Sequence, residues 1–138
     1  MRRVTLACTL ILSLVAAGCG NDPITPTAPT PPVSVTDTFT GTLTINGATS
    51  HSFPVASLSG GTVTVTLKVL TPDAEAVVGM SLGTWNGTAC QANISNDRAM
   101  VSSAILGLAT SAGSLCARIY DVGRLAEPQD YEIEVVHP

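Results

Sequence analysis

The feature that most constrains the fold is a strict alternation of apolar and polar residues over positions 61–70. Val63, Val65, Leu67 and Val69 occupy every second position, and threonines and one lysine fill the positions between them. Successive side chains of a β-strand point to opposite faces, so this period of two is typical of a strand with one buried face. We therefore predict a strand here, with these four aliphatic residues facing a core.

The same alternation recurs over residues 37–45 and 131–135, and turn signals such as Asn46-Gly47 separate the apolar runs. No stretch of the sequence keeps a helical period. Charged residues make up only 12% of the chain and aromatic residues 4%. This pattern predicts an all-β domain, an antiparallel β-sandwich of jelly-roll or Greek-key type with about seven or eight strands.

The amino terminus has the order of an export signal. Two arginines precede an apolar run over residues 4–17, which is shorter than the roughly 20 residues of a membrane span. Small residues and then Cys19 follow, and this order resembles a bacterial lipoprotein signal, with Ala16 where leucine is usual. The resemblance implies that residues 1–18 are removed and that Cys19 carries a diacylglyceryl group and an acyl chain such as palmitate. An ordinary secretory signal is the alternative.

A lipid anchor would place the protein at the cell envelope. Gly20 follows the modified cysteine where an aspartate often retains lipoproteins in the inner membrane, so we expect the outer membrane if the cell has one. Residues 19–35 are rich in proline and threonine, and proline favours an extended, disordered tether of about 3.1 Å per residue. A ligand for a proline-binding domain is the alternative use of this segment. The folded domain is expected over residues 36–138, which is long enough for one core.

Cysteine usage agrees with export. Cys8 lies in the expected signal and Cys19 is the expected lipid site, so Cys90 and Cys116 are the remaining pair. In an oxidising compartment we expect a disulfide between them, which stabilises the fold by roughly 3–4 kcal/mol in the chain-entropy treatment. A metal pair is the alternative, but two sulfurs without a nearby histidine make a poor zinc site. We expect no cofactor.

Five segments follow one another over about residues 38–137, namely FTGTLTINGATSHSFPV, GGTVTVTLKVL, VVGMSLGTWNGTAC, SLCARIYDVG and DYEIEVVHP. Their order resembles that of a bacterial pre-peptidase C-terminal-like domain. The resemblance implies a β-sandwich similar to carbohydrate-binding sandwiches. It also implies an association with secreted proteases or other exported enzymes.

One motif could indicate catalysis. Residues 79–83 read GMSLG and match the G-x-S-x-G nucleophile motif, and Asp121 and His137 follow in hydrolase order. That motif requires a strand, a sharp turn and a helix, whereas Ser81 lies in an alternating stretch before a turn signal. We interpret Ser81 as a sheet residue and expect no catalytic residues and no enzymatic activity. We expect His51 and His137 at surface or edge positions.

Ligand contacts are expected from aromatic residues. Trp85, the only tryptophan, stands within a turn signal, and exposed rings in sandwiches can hold the faces of sugars. Trp85 and Tyr120 are therefore the candidate contacts, although Trp85 could instead cap the core beside Cys90. Loop carboxylates are possible calcium ligands, but they lack a calcium-loop spacing, so solvated turn residues are the simpler interpretation. The weak calcium candidates are Asp73, Asp97 and Asp121.

The charge balance restricts the partners. Without the signal, four basic residues remain against ten acidic ones, a net charge of −6. Nucleic-acid binding relies on clustered lysine and arginine, so we expect no nucleic-acid partner. We expect a noncatalytic envelope lipoprotein that contacts the lipid bilayer through acylated Cys19 and binds carbohydrate or an envelope protein. The alternatives are a structural accessory to a secreted enzyme and a small hydrolase that uses Ser81 or a pair of carboxylates.

Overall fold

The computed structural model describes residues 33–56 and 60–138, so the expected signal, Cys19 and all but the end of the expected tether lie outside the described residues. Eight β-strands form the fold. They are β1 Val35–Leu43, β2 Ala48–Val55, β3 Gly61–Thr71, β4 Val78–Trp85, β5 Cys90–Ala99, β6 Ala104–Ala109, β7 Gly113–Tyr120 and β8 Gln129–His137. Within the two described ranges, no helix has the length and apolar character needed to cross a membrane.

The strands form two four-stranded sheets that pack face to face. The first sheet has the order β1-β8-β3-β6 and the second has the order β2-β7-β4-β5. Every neighbouring pair is antiparallel, including β1 with β8, β2 with β7, β3 with β6 and β4 with β5. The chain is therefore paired like one long hairpin whose two arms are rolled into a sandwich, which is the jelly-roll arrangement. The predicted all-β antiparallel sandwich is confirmed.

The core lies between the sheets and follows the alternation of the sequence. In β3, Val63, Val65 and Leu67 are buried, and in β8 the residues Ile133 and Val135 are fully buried. These residues face Phe53, Met80 and Ile119, among others, from the second sheet. Because each strand has one apolar face, the two sheets can bury these faces only against each other.

Two apolar positions of the predicted alternation are wrong. Ile45 lies in the turn after β1 and is 46% exposed. Val69 is 39% exposed, whereas Leu70 is buried. The pairing of β3 with β8 shifts between Leu67 and Val69, so Lys68 is an extra residue on β3. A β-bulge of this kind reverses the side on which the following residues lie, and Leu70 therefore takes the place that the strict alternation assigned to Val69.

The disulfide bridges β5 and β7 across the strand between them. Cys90 and Cys116 are bonded, as the sequence predicted. Cys116 pairs with Gly83 of β4, and the backbone of Gln91 lies so close to Gly83 that a Cβ there would be 1.9 Å from the Gln91 carbonyl oxygen. The absence of a side chain at Gly83 thus allows the start of β5 to approach β4 closely, and the disulfide holds β5 in this position.

Candidate functional site

A cleft of about 260 Å³ lies at one end of the sandwich, beside the end of β4, part of β5 and the β6–β7 connection. Its lining consists of Thr84, Asn93, Leu108, Ala109, Thr110, Ser111, Ala112, Gly113, Ser114 and Leu115. None of these lining residues is charged. A smaller apolar cavity of about 110 Å³ adjoins the cleft, because Asn93, Leu108 and Leu115 line both spaces.

The local sequence explains why the cleft is polar at its wall. The pairing of β4 with β5 shifts between Leu82 and Gly83, so Asn93 is an extra residue on β5. Its side-chain Nδ2 donates a hydrogen bond to Oγ1 of Thr84 at 3.3 Å. On the other side, small residues between β6 and β7 leave the space open and contribute hydroxyl groups.

The cleft combines uncharged hydrogen-bonding groups with aliphatic surface. Hydroxyl and amide groups can donate and accept hydrogen bonds without the desolvation cost of a charge. Placed polar groups of this kind fix the orientation of a bound small molecule. The arrangement suits a neutral ligand with many hydroxyl groups, and it offers no carboxylate to a cation.

Trp85 is the last residue of β4 and is half-buried, so it lies at the strand end rather than in the following turn. Its register partner is Cys90, and neighbouring Thr84 points to the opposite face of the strand. The turn after Trp85 is closed by Asn86, whose side chain accepts hydrogen bonds from the backbone N–H groups of Thr88 and Ala89. Trp85 therefore lies beside the disulfide on the same side of β4 as Ser81, which faces away from the core, so a cap on the core does not fit this position.

Tyr120, the other candidate contact, lies far from Trp85. Its register partner on β4 is Gly79, and six strand positions separate Gly79 from Trp85, which is roughly 20 Å. The Tyr120 hydroxyl donates to Asp97 of β5, and the Arg118 guanidinium lies 5.1 Å from the centre of the Tyr120 ring. Burial and the Asp97 carboxylate both raise the pKa of Tyr120.

The residues of the hydrolase motif are not brought together. Ser81 is buried on the side of β4 that faces away from the core, opposite Arg118. His137 faces the core from the other sheet, where its ring packs at a tilt against Phe53 and its Nε2 lies 3.1 Å from the Asp37 carboxylate. The expectation of a surface or edge position is wrong for His137, which is 3% exposed on β8, a strand paired on both sides.

His51 lies on edge strand β2, as predicted, but its ring is half-buried between two aromatic residues. It stacks on Phe39 with ring centres 4.7 Å apart, and its Nε2 and the Tyr131 hydroxyl are hydrogen-bonded at 2.7 Å. Burial lowers the pKa of His51 because the protonated ring would lose hydration. Burial also raises the pKa of Tyr131, against the opposing effect of a hydrogen bond from Thr49.

The carboxylates proposed for calcium each have protein partners. Asp73 Oδ1 accepts a hydrogen bond from the backbone N–H of Glu75. Asp121 accepts hydrogen bonds from the backbone N–H groups of Asn46, Gly123, Arg124 and Leu125. Burial acts to raise the pKa of Asp121, but these four donors outweigh it and lower the pKa. In the described part of the chain, no group of three or more metal-ligating side chains is present.

The cleft residues were not predicted from the sequence. Thr84, Asn93, Ser111 and Ser114 belong to different strands or loops, and no linear motif joins them. The run ATSAGS over residues 109–114 was the available signal, because so many consecutive small polar residues leave little side-chain volume to fill a loop.

Comparison with protein-family models finds no match, and comparison with curated proteins finds none either. The assignment to the pre-peptidase C-terminal-like domain and the assignment of a lipoprotein signal therefore both remain predictions.

Proposed function

We propose that this protein is a noncatalytic, lipid-anchored binding module of the cell envelope, and that its cleft binds a neutral carbohydrate. The observation that carries the proposal is the composition of the cleft wall. Hydroxyl groups of Thr84, Ser111 and Ser114 and the amide of Asn93 stand beside the aliphatic side chains of Leu108 and Leu115. Sugars present the same combination of hydroxyl groups and apolar C–H surface, so the two surfaces are complementary.

The absence of charge in the cleft lining favours a neutral ligand. The domain is acidic as a whole, yet its nine carboxylates lie elsewhere on the chain. An anionic ligand would find no cation in the lining, and a cationic ligand would find no carboxylate. The resemblance to carbohydrate-binding sandwiches supports the same ligand class.

The test uses the purified full chain on an array of envelope and storage polysaccharides, followed by calorimetry with any glycan that binds. Asn93→Ala removes one amide from the cleft, and the loss of a hydrogen bond of about 0.5–1.5 kcal/mol weakens binding roughly 2- to 10-fold. Thr38→Ala, on the outside of the first sheet, is the matched control and leaves affinity unchanged. If no glycan binds, the carbohydrate proposal is wrong and a protein partner becomes the better hypothesis.

Trp85→Ala distinguishes binding in the cleft from binding by the tryptophan ring. If the cleft is the site, this variant keeps its affinity for the glycan, although its stability falls. If Trp85→Ala abolishes binding while Asn93→Ala does not, the ring and not the cleft holds the ligand.

The anchor is tested in cells of the source bacterium by labelling with a palmitate analogue. We expect label in the wild-type chain and none in Cys19→Ala. Label that persists in Cys19→Ala would contradict lipidation at this cysteine.

A further inference from the structure

The four edge strands of the sandwich differ in how they are protected against pairing with other chains. An exposed strand edge is a template for another strand, and proteins block it with charges, proline or bulges. Among the edge strands, β1 carries Asp37 on its core-facing side and β2 carries Pro54. Strand β5 carries Asp97 and Arg98 and has two register shifts against β4.

Strand β6, Ala104–Ala109, has none of these three features. Among the described strands it pairs only with β3, and its sequence AILGLA contains no charge and no proline. The uncharged stretch extends from 99 to 117. On the outer face of this strand, Leu106 is 64% exposed and Leu108 is 72% exposed.

The apolar surface continues around the edge of β6. Ile94 of β5 lies next to Gly107 on the core-facing side and is itself 41% exposed. Exposed apolar side chains on both sides of one strand edge are typical of a surface that is covered by another molecule.

The strand is complementary to a second copy of itself. If a twofold axis passes through Gly107, two antiparallel β6 strands place Leu106 of each copy directly opposite Leu108 of the other. Such a contact is isologous, so one pairing creates both leucine contacts. Cross-strand apolar pairs of this kind stabilise antiparallel sheets, and the uncharged strand brings no like charges together although each copy is acidic.

We propose that β6 is a homodimer interface, in which two copies join edge to edge and their first sheets form one continuous eight-stranded sheet. A charged partner strand would find no complementary charge on β6, whereas an identical strand finds its own leucines in register. Six residues make a short pairing, small beside interfaces of about 1,200–2,000 Å², so the dimer is reversible. Leu108 also lines the cleft, so this interface shares one residue with the proposed carbohydrate site, but it is tested by self-association and not by glycan binding.

The test compares two double variants that place charged residues opposite each other in this register. Leu106→Lys with Leu108→Lys places lysine opposite lysine at both contacts of the dimer. Leu106→Lys with Leu108→Glu places lysine opposite glutamate at both contacts instead. The two variants change the same exposed positions, so their folding is compared directly by thermal unfolding and by the retained disulfide.

Sedimentation equilibrium of the full chain, in detergent matched to the density of the solvent, measures the dimer dissociation constant. We expect dimer in the wild type, a dissociation constant raised at least roughly tenfold in the double-lysine variant, and recovery towards the wild type in the lysine–glutamate variant. A wild type that stays monomeric at all concentrations would overturn the proposal. So would a double-lysine variant that dimerises like the wild type, or a lysine–glutamate variant that associates no better than the double-lysine one.

Discussion

Ser81 carries an unsatisfied, buried hydroxyl group in this domain. Its Oγ is buried and has no hydrogen-bond partner among the described residues. An unsatisfied buried polar group costs about 1–3 kcal/mol. We therefore expect Ser81→Ala to raise the free energy of unfolding by about 1 kcal/mol and the Tm by a few degrees, measured by urea and thermal denaturation. Ser52→Ala, an exposed serine of β2, is the control, and a loss of stability in Ser81→Ala would contradict the prediction.

The lowered pKa of His51 predicts that the stability of the domain depends on pH. Its pKa is lower in the folded protein than the model-peptide value of 6.5, because burial disfavours the protonated ring. The unfolded chain therefore binds more protons below about pH 6.5, and stability falls as the pH decreases through that value. Urea denaturation between about pH 8 and 5 should show this fall, while His51→Gln, which keeps a polar partner for Tyr131, should flatten it. An unchanged slope in His51→Gln would assign the effect to another group.

At the scale of strands, Gly83 decides how β5 joins the second sheet. A Cβ at this position would lie 1.9 Å from the Gln91 carbonyl oxygen. Overpacking of this kind costs about 1–3 kcal/mol or more, so we expect Gly83→Ala to destabilise the domain by at least that amount in urea denaturation. In the matched control Gly113→Ala, the new Cβ meets no atom within 4 Å and stability stays nearly unchanged. Equal effects of the two substitutions would refute the close approach of β5.

The strands themselves were largely predictable, but their irregularities were not. The alternation of Val63, Val65 and Leu67 is a local property of the chain and identified β3 correctly. The bulge at Lys68 depends on the pairing of β3 with β8, and the bulge at Asn93 depends on the pairing of β5 with β4. Strand β8 is distant from β3 in the chain, and although β4 directly precedes β5, the alternation within one strand does not record the register of its pairing. Val69 was therefore assigned to the wrong face, and the cleft was missed.

At the scale of the whole molecule, β8 holds the first sheet together because it pairs with both β1 and β3. It also contributes Tyr131, Ile133 and Val135 to the core. We expect residues 33–138 to fold alone, with a cooperative thermal transition close to that of the full chain. We expect residues 33–128, which lack β8, to show no cooperative transition by circular dichroism.

The control for this truncation is the disulfide, which should form quantitatively in 33–138. A cooperative transition in 33–128 would mean that the second sheet alone supports the fold. That result would contradict the central role of β8.

The sequence by itself determined the fold class, because a period of two in hydrophobicity belongs to each strand separately and needs no partner to be recognised. It also determined the disulfide, because the expected signal and lipid site left one pair of cysteines. Only the tertiary structure decided which side chains lie together, since the jelly roll pairs strands from opposite ends of the domain. It therefore separated Trp85 from Tyr120, buried His137 against Asp37, assembled the cleft around Asn93 and left the edge of β6 exposed.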